Sequence, residues 1–273
     1  MTRLALRLSK GALGAAALLS ASCGAARMKL PAGPGVPAGD GAAVIAQATF
    51  ACRAISTITL EMSVHGSVGG RRLRGRLTAG LATPSSARLE AVAPFGQPVF
   101  VFVASDADAS VLLPRDRRVL EHGRPAAVLD AVAGVPLDAA GLRSLVTGCA
   151  HAPDAAGTMS LGDMWRVAPD ADDEVYFRRD PSTGAGQAAW RLVATQHRGE
   201  HGWRAEYGMF ENNLPHTVRL VSDPPGRFDL QLDLSQIELN VPLGAEAFRI
   251  DAPTGASPIT LDELRQSGPL GEK

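Results

Sequence analysis

Strict alternation of apolar and polar residues just after residue 56 constrains the fold more than any other feature of this chain. The apolar residues of this segment share one parity: Ile58, Leu60, Met62 and Val64. The residues between them are polar, and a period of two is typical of a β-strand with one dry and one wet face. The segment is therefore predicted to be a β-strand in a sheet that is buried on one face and exposed to solvent on the other.

A second strand is expected to return beside the first. Gly69-Gly70 predicts a tight hairpin turn. After the turn, Leu73 and Leu77 have one parity, whereas Arg72, Arg74 and Arg76 have the other. We interpret this arginine stripe as a solvated outer face, because charges at period two are more often solvated than part of an anion site. Two long antiparallel strands follow from the pattern.

The alternation is interrupted once, between residues 124 and 148. Pro125 begins a predicted helix that Gly134 ends, and Asp138 is placed to cap a second helix that ends at Gly148. Strand patterns precede this insertion, with Val99–Val103 apolar on both faces, and they resume after it as far as Leu239. The sequence thus predicts a mainly β chain with some helix (α+β), built on an antiparallel sheet. A sheet of this many strands with one apolar face must curve into a barrel or have that face covered by other elements.

The regions on either side of the sheet are less regular. A short helix is predicted over 42–54, and a change of parity in the last long strand predicts a β-bulge near Ser235-Gln236. Residues 241–273 form a predicted C-terminal appendage. We expect a short extended piece at Phe248–Ile250 and a helical turn capped by Thr260 and Glu263.

The N-terminus resembles an export signal. Basic residues precede a short apolar run, and small residues lead into Cys23. Residues 1–22 are interpreted as a lipoprotein signal peptide and Cys23 as the lipidated residue, although Leu19 lies one place earlier than the usual lipobox leucine. An ordinary secretory signal is the alternative. An aspartate directly after the lipidated cysteine would resemble the signal that retains lipoproteins in the inner membrane, but this chain has Gly24 there. We therefore expect a lipid anchor in the outer membrane, with the protein facing the periplasm. Residues 23–41 are expected to be a flexible tether.

Two further cysteines fit an oxidising compartment. With Cys23 used for lipid, Cys52 and Cys149 remain as one possible disulfide pair. Two buried thiols are the alternative.

Composition and motifs argue against several functions. The 27 basic and 28 acidic residues give a net charge of −1, which lacks the basic field of a nucleic-acid binder. We find no nucleophile elbow and no phosphate-binding loop. His197 and His201 are spaced to bind a metal from one face of a helix, but the glycines around them predict a turn instead. The sequence therefore predicts a non-enzyme without cofactor, metal or nucleic-acid partner.

Several local motifs, taken with the order of elements, resemble the LolB family, the outer-membrane receptor of bacterial lipoprotein sorting, and its relative LolA, the periplasmic carrier. The resemblance spans roughly residues 42–240. Its motifs are Pro94-Phe95-Gly96, Gly134-Val135-Pro136-Leu137, Leu142-Arg143 with Gly148, and Trp203 and Tyr207 before Pro215. It implies a curved antiparallel sheet that forms an incomplete β-barrel, with a short helical lid over an apolar cavity that accepts lipoprotein acyl chains. It also implies that Phe95 lies at the tip of a membrane-insertion loop.

The resulting hypothesis is an outer-membrane lipoprotein that binds acyl chains and receives or inserts lipoproteins, with a periplasmic carrier as a possible partner. The residues expected to line its cavity are Ile58, Leu60, Met62, Leu73, Leu77, Val101 and Leu230. The alternative is a non-catalytic structural or assembly-complex lipoprotein whose apolar face is a filled core and whose partner is a protein.

Overall fold

A computed structural model describes residues 27–92, 98–180, 189–199 and 201–267. The described strands form one sheet and are accompanied by four α-helices and a 3-10 helix. The strands are β1 (Val36–Pro37), β2 (Thr57–Val68), β3 (Arg71–Ala82), β4 (Ser86–Val92), β5 (Val101–Ser105), β6 (Asp108–Leu113), β7 (Arg118–Gly123), β8 (Met159–Leu161), β9 (Trp165–Asp170), β10 (Asp173–Asp180), β11 (Ala189–His197), β12 (Trp203–Glu211), β13 (Leu214–Ser222), β14 (Phe228–Leu239) and β15 (Ser257–Pro258). The helices are α1 (Gly41–Arg53), α2 (Pro125–Ala133), α3 (Ala139–Thr147), the 3-10 helix (Ala245–Phe248) and α4 (Leu261–Ser267).

The sheet consists of two meanders that meet at one pair of strands. In spatial order the strands run β1-β8-β9-β10-β11-β12-β13-β14-β2-β3-β4-β5-β6-β7-β15, and every pair is antiparallel except β15 with β7. The strands β2 to β7 form one meander and β8 to β14 the other, and β14 pairs with β2 to join them. Since β1 and β15 stand at the two ends of this order, the sheet is an incomplete barrel, as predicted.

The alternating segments form the strands that their patterns predict. Ile58, Leu60, Met62 and Val64 are all buried, and Gly69 and Gly70 both have positive φ in the turn between β2 and β3. The β-bulge is also confirmed, because the register of β14 against β2 shifts between Ser235 and Glu238.

Helices α1, α2 and α3 lie on the concave face of the sheet. Helix α1 packs against β9 and β11, α3 packs against β3, β4 and β13, and α2 packs against β6 and α4. The apolar faces of α2 and α3 are buried in the same core as the sheet. Helices α2 and α3 connect the two meanders in the chain. The helical insertion therefore packs against strands that precede it and strands that follow it.

Two segments differ from the sequence prediction. Residues 28–40, expected to be part of a flexible tether, are held against the sheet: Val36 and Pro37 pair with β8, and Ala38 donates a hydrogen bond to the carbonyl of Thr158. The backbone N–H of Met28 donates to the carboxylate of Glu206 over 2.9 Å. This segment is bound mainly through its backbone, which a composition of Gly, Ala and Pro does not reveal.

The C-terminal appendage also differs in part. Phe248 closes the 3-10 helix rather than beginning an extended piece, and the guanidinium of Arg88 holds the carbonyls of Ala247 and Arg249, each over 3.1 Å. The predicted cap of the last helix is confirmed, since Thr260 and Glu263 each accept a hydrogen bond from the backbone N–H of the other.

Candidate functional site

An apolar cavity of about 690 Å³ lies between the concave face of the sheet and helices α2 and α3. Strands β2, β3, β4, β13 and β14 form one wall, and the two helices with their connecting link form the other. The aliphatic and aromatic lining residues are Met62, Val64, Leu73, Leu77, Leu89, Ala91, Val92, Val99, Phe100, Leu129, Ala133, Val135, Leu137, Leu142, Leu145, Val146, Leu220, Leu230 and Leu232. The helices therefore fill the concavity only in part.

Local sequence signals fix the two lid helices in place. Pro125 occupies the first turn of α2, and Gly134 ends that helix with a left-handed conformation, φ 74°. The carboxylate of Asp138 accepts a hydrogen bond from the N–H of Gly141 over 2.7 Å and so caps α3. Capped ends and buried apolar faces hold both helices over the sheet.

The end of α3 lies in close contact with β12 and β13. Gly148 ends α3 with φ 60°, and a Cβ at this position would lie 3.3 Å from the ring of Pro215 and 3.7 Å from the ring of Tyr207. Only a residue without a side chain allows this approach comfortably. Three motif residues that are far apart in the sequence thus meet at one point, where α3 contacts the sheet.

A disulfide bond fixes the segment that follows α3. Cys52 in α1 is bonded to Cys149, with their Cα atoms 5.8 Å apart, which confirms the predicted pair. Two and three residues later, the backbone N–H groups of His151 and Ala152 donate to the buried carboxylate of Asp170, over 2.8 and 2.9 Å. The lid is therefore anchored to α1 by a covalent bond and to β9 by hydrogen bonds.

Four of the seven residues predicted to line the cavity do so: Met62, Leu73, Leu77 and Leu230. Ile58 and Leu60 are buried in the same apolar core but do not border the cavity.

The prediction for Val101 is wrong. Phe100 and Phe102 belong to the interior core, so Val101 points to the other face of β5. The 3-10 helix packs on β5, and this cover explains why the strand is apolar on both faces. Cys23, residues 1–22 and Phe95 lie outside the described residues.

Sequence reasoning placed no arginine at the border of the cavity. The only lining residues with polar side chains, within the described chain, are Arg74, Arg76 and Arg115, and all three are exposed. The alternation of β3 places the side chains of Arg74 and Arg76 on the face opposite Leu73 and Leu77. The arginines of β3 border the cavity because β3 and β4 differ in length. Strand β3 pairs with β2 along its whole length but with β4 only from Arg76 onward. Residues Arg71–Gly75 therefore extend past the end of β4. Half-exposed Val92, the last residue of β4, also borders the cavity.

The chemistry that this lining offers is non-covalent binding. None of the described lining residues carries a carboxylate, an imidazole, a thiol or a hydroxyl group. The groups with raised pKa values lie elsewhere: burial raises the pKa of Tyr207 to about 12, and burial raises the pKa of the Asp173 carboxyl although His197 beside it acts in the opposite direction. Within the same described ranges no three His, Cys, Asp or Glu side chains cluster as metal ligands, and no helix has the length and apolar character needed to span a bilayer.

Comparison with solved structures assigns the fold. A LolA superfamily protein from Nitrosomonas europaea superposes with a TM-score of 0.53 over 79% of this chain and 98% of that one, at 13% sequence identity. The chain has a LolA-like fold. A DUF1329 family protein from Desulfovibrio piger is similar as well, with a TM-score of 0.50, 12% identity, and coverage of 78% of this chain and 98% of that one.

Beyond the local motifs, the similarity to known proteins lies in the fold. No protein-family model matches the chain, and no curated protein matches it. Both solved structures are matched over nearly their whole length. The two solved structures therefore share the overall fold of this chain.

Proposed function

We propose that this chain is an outer-membrane lipoprotein that faces the periplasm, binds acyl chains in its cavity and acts in the reception or insertion of lipoproteins. The observation that carries the proposal is the open apolar cavity between the sheet and the lid helices. A protein whose apolar face served only as its core would have this space filled by side chains. Binding here is non-catalytic and needs no cofactor.

The cavity has the size and chemistry of a site for acyl chains. Its volume of about 690 Å³ lies within the roughly 300–1,000 Å³ of ligand pockets in general. Each methylene group that leaves water contributes about 0.8 kcal/mol, so ten buried methylenes contribute about 8 kcal/mol. Hydrocarbon burial alone is therefore sufficient to hold a chain in this space.

The cellular placement rests on the N-terminal sequence. Lipidation of Cys23 after removal of residues 1–22 would anchor the domain to the membrane, and the Cys52–Cys149 disulfide fits an oxidising periplasm. A periplasmic carrier that delivers acylated cargo is the expected protein partner. Phe95, at the tip of the segment between β4 and β5 in the sequence, is proposed to contact the bilayer.

The binding step is tested with the chain from residue 24 onward, which contains every described element. Native mass spectrometry of this protein, purified from cells, should detect bound acyl species. Ala133→Phe, which places a ring inside the cavity, should exclude roughly four methylenes of a chain and lower affinity for a fluorescent fatty acid by about two orders of magnitude. Ala46→Phe, on the exposed face of α1, is the matched control. A clean protein mass with no fatty-acid uptake would contradict the proposal and favour the alternative, a scaffold lipoprotein with a protein partner.

The delivery step is tested separately with a lipoprotein-loaded carrier and membrane vesicles. Phe95→Glu should leave the thermal midpoint unchanged and acyl binding intact while it blocks transfer of cargo into the vesicles. A large loss of stability would show instead that Phe95 belongs to the core.

A further inference from the structure

The volume of the cavity limits how much hydrocarbon it can hold. The space between the sheet and the lid helices measures about 690 Å³. A methylene group occupies roughly 30 Å³, close to the share of one water molecule in the liquid, so a 16-carbon chain needs roughly 480 Å³ and two such chains need roughly 960 Å³. The cavity therefore has room for one long acyl chain and not for two.

The lid helices are fastened to several other elements, which keeps the cavity from widening. The guanidinium of Arg227, directly before β14, donates a hydrogen bond to the carboxylate of Asp130 in α2 over 2.8 Å. Helix α4 packs against α2, and its Leu264 is buried in the same core. Beyond the end of α3, the disulfide between Cys52 and Cys149 holds the chain to α1. Both lid helices are thus tied to elements outside the lid.

The sheet side of the cavity is also fixed. Strands β2, β3, β4, β13 and β14 each have a hydrogen-bonded neighbour on both sides, so none of them can move away without breaking a ladder. The wall residues Leu89, Phe100 and Leu220 are at most 4% exposed, and a close-packed interior leaves such side chains little room for other rotamers. A second long chain would have to displace the lid or open the sheet.

We propose that the cavity holds one acyl chain at a time, so that single-chain amphiphiles are its preferred ligand class. This inference rests on the proposed acyl-binding function and adds the number of chains per site. A two-chain lipid would leave its second chain in water, and the hydrophobic effect favours the return of such a lipid to a bilayer. A lipoprotein cargo would place one of its chains in the cavity and keep the others outside.

Native mass spectrometry of the chain from residue 24 onward counts the bound chains directly. The protein is stripped of lipid and saturated with palmitic acid. In a second experiment it receives equal amounts of 1-palmitoyl-lysophosphatidylglycerol and dipalmitoyl phosphatidylglycerol, which share a head group and one chain, delivered from cyclodextrin. We expect one palmitic acid per protein, and about tenfold or more lysophospholipid over diacyl lipid in the bound fraction. Ala133→Phe should reduce the bound palmitic acid, and Ala46→Phe should not.

The fastening of the lid is tested with Asp130→Asn, which weakens the contact of α2 with Arg227. The control is Asp262→Asn, because the partner of Asp262 is Arg265 on the same short helix, α4. Partly exposed ion pairs stabilise a structure only modestly, so Asp130→Asn should raise the diacyl share of the bound lipid about threefold. The control should bind like the wild type. Equal diacyl shares in the two variants would count against a fixed lid and against the single-chain limit that depends on it.

Two results with the wild type would overturn the proposal and leave acyl binding standing. One is two palmitic acids per protein, both reduced by Ala133→Phe. The other is equal binding of the lysophospholipid and the diacyl lipid. A protein that binds none of the three probes, or binds palmitic acid equally well with Ala133→Phe, would contradict the acyl-binding function itself.

Discussion

The disulfide between Cys52 and Cys149 should supply a large share of the stability of this protein. The two cysteines are 97 residues apart in the sequence. A covalent link that closes a loop of this length lowers the entropy of the unfolded chain by an amount worth about 4 to 5 kcal/mol at 25 °C. A natural domain has a free energy of unfolding of only about 5 to 15 kcal/mol. The double variant Cys52→Ala/Cys149→Ala should therefore be close to the limit of folding.

Urea unfolding of the chain from residue 24 onward measures this effect, because that chain has no other cysteine. With a slope of about 3 kcal/mol per molar urea, the midpoint of the double variant should fall by about 1.5 M relative to the oxidised wild type. Addition of dithiothreitol should move the wild type to the same midpoint and leave the variant unchanged. If thiol alkylation shows the bond intact in the wild type and the midpoints nevertheless coincide, the loop-closure reasoning is wrong.

Two carboxylates carry further predictions. Asp170→Ala should lower the free energy of unfolding by about 2 to 3 kcal/mol, because it removes the buried side chain that accepts hydrogen bonds from two backbone N–H groups. Asp170→Asn keeps an oxygen acceptor and should recover part of the loss, and equal losses for both would refute this role. The pKa of Asp40 is lowered from 3.8, chiefly by its hydrogen bonds to Arg166. The folded state therefore favours the charged carboxylate, so the stability advantage of wild type over Asp40→Asn should be present at neutral pH and disappear as the pH falls below 3.8. An advantage that persists in acid would argue against the ion pair.

The parts of the fold that a local rule determines could be predicted from the sequence. Period-two alternation located β2 and β3, and the capping side chain of Asp138 and the backbone freedom of Gly148 marked the ends of α3. The parity change before Ile237 located the bulge because a buried face must stay continuous. Each of these signals acts over a few residues.

The missed features depend on contacts between distant parts of the chain. Val101 and Phe100 are both apolar, and only the position of the 3-10 helix shows that Val101 lies on the outer face. Arg74 lies on a solvated strand face, as its alternation predicts, but its position at the border of the cavity depends on where β4 ends. Strand pairing and strand length are properties of the assembled sheet, so a single strand does not encode them.

The contact of Met28 with the sheet bears on how the domain would stand on a membrane. Its backbone N–H binds Glu206, and its carbonyl accepts a hydrogen bond from Arg204, which is itself paired with Glu206 over 2.6 Å. With Cys23 in the bilayer, as proposed, five residue steps separate the lipid from this contact, a span of at most about 18 Å. The domain would then sample a narrow range of tilts at the bilayer surface. Swinging toward an incoming carrier would require release of the N-terminal segment from Glu206.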